Sequence, residues 1–134
     1  MSRKTPIRVQ SVMRLSFVVV DGLETVADAL TKMKEAGVAM AIVRRRHEDD
    51  EIGMVLLDDI AKQVLARDRS PERINVYEIM AKPVISVPPD MDIRYCARLF
   101  ENFGIGHAPV AEDGKIIGMV SYYRLVLHGL QDLD

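Results

Sequence analysis

The residues of this chain best placed to do chemistry follow a four-residue phrase that occurs twice. Ile52-Gly53-Met54-Val55 returns 65 positions later as Ile117-Gly118-Met119-Val120. The first copy continues into Leu56, Leu57, Asp58 and Asp59, the second into Ser121, Tyr122, Tyr123 and Arg124. Each copy passes from a strand-like apolar run into a helical pattern, so these polar residues fall at helix starts. Acidic residues in a first turn are favoured by the helix dipole without any ligand, and serine is an ordinary N-cap. A hydroxyl at a helix entry also stands where free N–H groups favour a phosphate. Arg124 offers donors only, suited to a phosphate or a carboxylate or to a solvated helix face.

Catalysis is not expected. Cys96 falls on the core-facing positions of a helix, and no nucleophile, base and orienting group can be assembled. His47, His107 and His128 lack metal-ligand spacing with cysteines or carboxylates, so no metal site is expected. Arg44-Arg45-Arg46-His47 followed by Glu48-Asp49-Asp50-Glu51 places opposite charges on the two limbs of a long turn. That pattern reads as a self-compensating solvated loop, or as a docking loop for a partner protein.

The elements that must position these residues come in a repeated order. After an N-terminal arm (1–16), Phe17–Val20 reads as a strand and Thr25–Ala36 as a helix capped by Thr25 with Asp28 and stopped at Gly37. Val38–Val43 and Ile52–Val55 read as strands, and Leu57–Ala66 as a second helix. A charged stretch with Ser70-Pro71 is the linker. Then Asn75–Met80 reads as a helical turn, Val84–Val87 as a strand and Asp92–Phe103 as a helix closed by Gly104. His107–Val110 and Ile116–Val120 read as paired strands around a Glu112–Lys115 hairpin turn, and Ser121–Leu130 as the last helix. At an offset of 67, Met13 meets Met80, Val20 meets Val87, Gly37 meets Gly104 and Val43 meets Val110. The offset then falls to 65, so the first copy has the longer hairpin turn. The domain boundaries so read are 1–66 for repeat 1 with its arm, 67–74 for the linker and 75–134 for repeat 2. Such periodicity decides the fold before any single element does.

Composition bounds the rest. A chain of 134 residues, 49% apolar and 28% charged, should bury roughly two-thirds of its unfolded surface. A net charge of −2 argues against non-specific nucleic-acid binding. One cysteine permits no internal disulfide, which favours a reducing, cytoplasmic setting. No apolar run approaches the roughly 18 residues needed to span a bilayer. The basic start, Met1 to Pro6, lacks the apolar run and cleavage site of a signal peptide.

The order of cues resembles a tandem pair of cystathionine β-synthase (CBS) domains, the unit called a Bateman module. Ile79-Met80, Val84-Ile85-Ser86-Val87, Pro89-Asp90, His107-Ala108-Pro109-Val110, Asp113-Gly114 and Gly118-Met119-Val120-Ser121 carry the resemblance, which covers roughly residues 5 to 131. It implies an α+β fold of two β-α-β-β-α repeats packed about a pseudo-two-fold axis, with two related clefts. In the family these clefts commonly bind AMP, ADP, ATP or S-adenosylmethionine, and two modules often associate into a flat dimer. The family motif is Gly, two apolar residues, Thr or Ser, two residues of any type, then Asp or Asn. This chain divides it: Gly53 to Asp59 has the carboxylate with Leu56 at the hydroxyl position, and Gly118 to Arg124 has Ser121 with Arg124 at the carboxylate position. In the family, the glycine admits the ligand closely, the hydroxyl meets phosphate and the carboxylate accepts ribose hydroxyls. His107, ahead of Pro109, stands where related modules aim a basic side chain at phosphate. Arg14 to Phe17 and Lys82 to Val84, continuing into Ile85, stand where they cover the adenine. The implied ligand-binding set is therefore Arg14, Phe17, Asp59, Lys82, Val84, Ile85, His107, Pro109, Ser121 and Arg124. The function implied is a regulatory module that senses an adenine nucleotide, forms a homodimer and acts on an unnamed partner in trans. Loss of one motif element from each copy equally suits a ligand-free interaction or dimerisation module.

Overall fold

The computed structural model describes residues 6–82 and 84–130. The basic start through Thr5 and the wall residue Pro83 lie outside them. The elements are α1 (Val9–Val12), β1 (Val18–Val20), α2 (Val26–Ala36), β2 (Met40–Val43), β3 (Gly53–Leu56), α3 (Leu57–Ile60), α4 (Ile93–Phe103), β4 (His107–Glu112), β5 (Lys115–Ser121) and α5 (Tyr122–Gly129). Single 3-10 turns occupy Pro71–Arg73 and Val76–Glu78. The mixed helix-and-strand class and the repeated order are as expected.

The chain forms two compact units. Residues 17–84 make a continuous unit; the arm through Ser16 joins the residues from Ile85 onward in a split unit. In the continuous unit β1 lies parallel to β2, and β2 antiparallel to β3, with Ala41 opposite both Val18 and Val55. Ala81 adds one antiparallel bridge to Met54, its N–H donating to the Met54 carbonyl at 2.8 Å and the reverse bond measuring 3.0 Å. The Val26 N–H donates to Ile74, Val76 to Glu24 and Tyr77 to Gly22. Those bonds hold Ile74, Val76 and Ile79 in place, and all three are buried.

The split unit repeats this plan with the other arm. β4 and β5 pair antiparallel with a bulge between Val110 and Ala111, and Arg14 bridges Met119 just as Ala81 bridges Met54. Val9 and Val12 of α1 are fully buried beside Val87, Ile93, Cys96, Phe100, Val110 and Leu125. Each such side chain contributes about 1.5–3 kcal/mol by burial. The turn joining β4 to β5 is Asp113-Gly114, both at positive φ (53° and 79°), the primed geometry that matches strand twist.

Local signals account for the long helices. The Thr25 hydroxyl accepts the Asp28 N–H at 3.1 Å, and Asp92 accepts the Arg94 N–H at 2.8 Å. Gly37 and Gly104 end α2 and α4 in the left-handed conformation.

Two expected elements differ. Val84–Val87 is not a strand: only Val87 pairs, parallel to Val110, with its N–H donating to Pro109 and its carbonyl accepting from Ala111. The next donor in that ladder would be the N–H of residue 109, which proline lacks, so Ile85 finds no partner there. The helix expected over Leu57–Ala66 is α-helical only to Ile60. It widens to π geometry over Ala61–Leu65, where the Ala66 N–H reaches back to Ala61 at 2.9 Å.

Candidate functional site

The two copies of the repeated phrase end alike in backbone and differ in chemistry. In the split unit, β5 delivers Ser121 as the N-cap of α5, its Oγ accepting the Arg124 N–H at 3.2 Å. Cross-strand register sets His107 directly opposite Ser121, and Pro109 opposite Met119. His107 and Ser121 are half-buried; Pro109 is buried. In the continuous unit the corresponding pair is Met40 opposite Leu56. One junction therefore presents an imidazole beside a hydroxyl, and the other presents only hydrocarbon and sulfur.

The glycines of the phrase have a structural duty of their own. A Cβ on Gly118 would lie 2.7 Å from the Arg14 carbonyl oxygen and 2.9 Å from Met13 Sδ. On Gly53 it would lie 2.8 Å from Met80 Sδ and 3.3 Å from the Ala81 carbonyl oxygen. In both units the glycine makes room for the bridging arm.

Asp59 and Arg124 are both engaged within their units. The Asp59 carboxylate accepts the Leu56 N–H at 3.2 Å, capping α3 from its third residue. Arg124 donates from Nε to the Val12 carbonyl at 2.8 Å and from Nη2 to Met13 at 3.5 Å, closing the C-terminal end of α1. Arg14 is bound through its backbone to Met119, with Nε donating to Ser16 Oγ at 3.3 Å. Lys82 pairs with Asp50 of the β2–β3 turn, whose Oδ2 also accepts the Arg46 N–H at 3.0 Å. The hydrogen bond from Lys82, then that from Arg46, holds the Asp50 carboxyl well below the usual carboxylate range. Phe17, Val84 and Ile85 are half-buried outside regular structure.

Of the ten expected residues, the split unit holds Arg14, Ile85, His107, Pro109, Ser121 and Arg124, and the continuous unit holds Phe17, Asp59, Lys82 and Val84. Sequence reading passes over Arg8, Arg94 and Arg98, which line one cleft of the split unit. The available signal was their replacement by Asn75, Ala27 and Thr31 at the 67-residue offset. Among the described residues no His, Cys, Asp and Glu side chains converge as a metal site, and no helix is long and apolar enough to cross a membrane.

The family model of the CBS domain matches the chain twice, over residues 9–66 and 76–129. A hexameric CBS-CP12 protein from bloom-forming cyanobacteria is similar in structure, with a TM-score of 0.87 and 38% identity over 90% of this chain and 70% of that one. An uncharacterized protein of Methanopyrus kandleri is 30% identical over 99 residues, 73% of this chain and 50% of its own length. The chain spans about half the length of the curated relatives it matches. A CBS domain pair solved in complex with 5′-methylthioadenosine and S-adenosyl-L-methionine shares the fold at a TM-score of 0.79 and 19% identity, over 95% of this chain and 99% of that one.

Proposed function

Because the chain belongs to the CBS-domain family, matched in both of its halves, we propose that it is a regulatory module whose split unit takes an adenosine-containing ligand of the AMP, ADP, ATP or S-adenosylmethionine type. The observation that carries this reading is the pairing of His107 with Ser121 where the other unit has Met40 with Leu56. An imidazole beside an N-cap hydroxyl at the positive end of a helix suits phosphate. A methionine and a leucine do not. One site per chain therefore carries the ligand. The ligand acts on a partner in trans through different affinity for two states of the module. Self-association belongs to the same reading, since a similar protein is hexameric.

A second reading, a ligand-free interaction module, draws on Asp59 and Arg124. Both motif positions already serve the fold, Asp59 by capping α3 and Arg124 by closing α1.

Isothermal titration with the four compounds separates the two. One of them should bind wild-type protein, and Ser121→Ala combined with His107→Ala should weaken it by about 1–3 kcal/mol. Affinity is the readout because Ser121→Ala also removes a helix cap, which costs about 1 kcal/mol of stability. Unchanged affinity in the double variant would remove these residues from the site. Absence of binding by all four to folded protein would favour the interaction module.

A further inference from the structure

The N-terminal end of α4 borders a cleft of about 680 Å3 that shares no residue with the His107–Ser121 junction. Three guanidinium groups line it. Arg8 reaches it from the arm, with Nη1 donating to the Asp90 carbonyl at 2.6 Å. Arg94 is the second residue of α4, and its Nη1 is enclosed with no hydrogen-bond acceptor, 4.0 Å from Asp92 Oδ1. Arg98 follows one turn later, its guanidinium 5.4 Å from the centre of the Tyr95 ring. The carboxylates of Asp90 and Asp92 also line the cleft, but Asp92 is occupied as the N-cap of α4.

The repeat supplies an internal control on what the fold requires. The bridge Arg8–Asp92 in the split unit corresponds to Asn75–Thr25 in the continuous unit. By the same offset Arg94, Tyr95 and Arg98 correspond to Ala27, Asp28 and Thr31. An equivalent helix, turn and arm are thus built without any of the three arginines. The dipole sharpens the contrast: α2 has Asp28 in its first turn, whereas α4 has an arginine there and no acid. A cation at a helix N-terminus opposes the dipole. Neither folding nor capping explains three arginines converging there with one donor unsatisfied.

We infer that this cleft binds a small anion carrying two linked phosphate groups, with Arg94 and Arg98 gripping the phosphates and Arg8 closing over them. The volume falls in the range of small-molecule sites, and planar guanidinium forks match phosphate oxygens in pairs. A diphosphate spans from Arg94 to Arg98, along the turn of helix that separates them. Its negative charge also relieves the unfavourable arginines at the start of α4.

The test is a titration of the 15N-labelled full chain with inorganic pyrophosphate, without nucleotide, at low salt. Amide shifts should concentrate at Asp92–Arg98, and Arg98→Gln, an exposed position, should weaken binding at least tenfold with the folded spectrum retained. Arg94→Gln should do the same. The Ser121→Ala, His107→Ala variant should keep the Asp92–Arg98 shifts. Equal affinity in Arg98→Gln, or identical shifts from sulfate at matched ionic strength, would overturn the site. Shifts confined to Gly118–Arg124 and lost in the Ser121→Ala, His107→Ala variant would also overturn it, while supporting the nucleotide reading. Pyrophosphate binding at α4 without any adenosine ligand would separate the two the other way.

Discussion

Gly118 and Gly53 hold matching places in the two repeats, and both face the same kind of neighbour with different tolerance. The closest atom to a new Cβ on Gly118 is a backbone oxygen, that of Arg14; on Gly53 it is the sulfur of Met80, the end of a flexible side chain. Gly118→Ala should therefore cost about 1–3 kcal/mol, as overpacking against fixed backbone does. Gly53→Ala should cost less, because the methionine can move. Urea midpoints of the two variants check the order, and equal losses would show that the arm yields at Arg14. At this scale the sequence was partly legible. Ser121 and Asp59 announce themselves as helix-start residues, and both act as caps. The engagement of Arg124 was not legible, since its acceptors lie 112 and 111 positions away. No local pattern encodes such a bond.

Among the elements, α2 and α4 were the most legible because they carry their own start and stop signals: an oxygen-bearing cap at Thr25 or Asp92, and Gly37 or Gly104 at the end. The Asp-Gly hairpin was equally local. Val84–Val87 was misread because its β-branched composition invites a strand, while pairing depends on a partner more than 20 residues on. Val18–Val20 succeeds against β2; at the position matching Ile42, β4 has Pro109. Pro109→Ile should therefore restore a donor toward Ile85. The new residue 109 amide should show slow hydrogen exchange and the Ile85 region should gain protection. Fast exchange at 109 would mean that the prolines at 88 and 89, not 109, limit the strand. The π geometry after Ile60 had no sequence signal that we recognise.

For the whole molecule, the defining feature is that each arm belongs to the sheet of the other repeat's phrase. Val9 and Val12 are buried among residues of the split unit, and Val76 and Ile79 are buried in the continuous one. Cys96 reports on this core: burial pushes its thiol up to about 11, so it is unreactive while the unit is closed. Val12→Ala should destabilise the split unit by roughly 2 kcal/mol. At pH 8, alkylation of Cys96 should then accelerate, with amide protection falling first in β4 and β5. Loss of protection in β1–β3 to the same degree would mean that the two units open as one.

By itself, the sequence determined the repeat, the α+β class, the family and most element types, because periodicity, caps and turn residues act over a few positions and are written locally. Tertiary structure alone decided which arm joins which unit, which expected ligand residues are already engaged, and that Arg8 lines one cleft with Arg94 and Arg98. Those outcomes depend on backbone approach between segments some 80 to 110 residues apart. There, a carbonyl over a glycine or a missing proline N–H is a property of the packed chain.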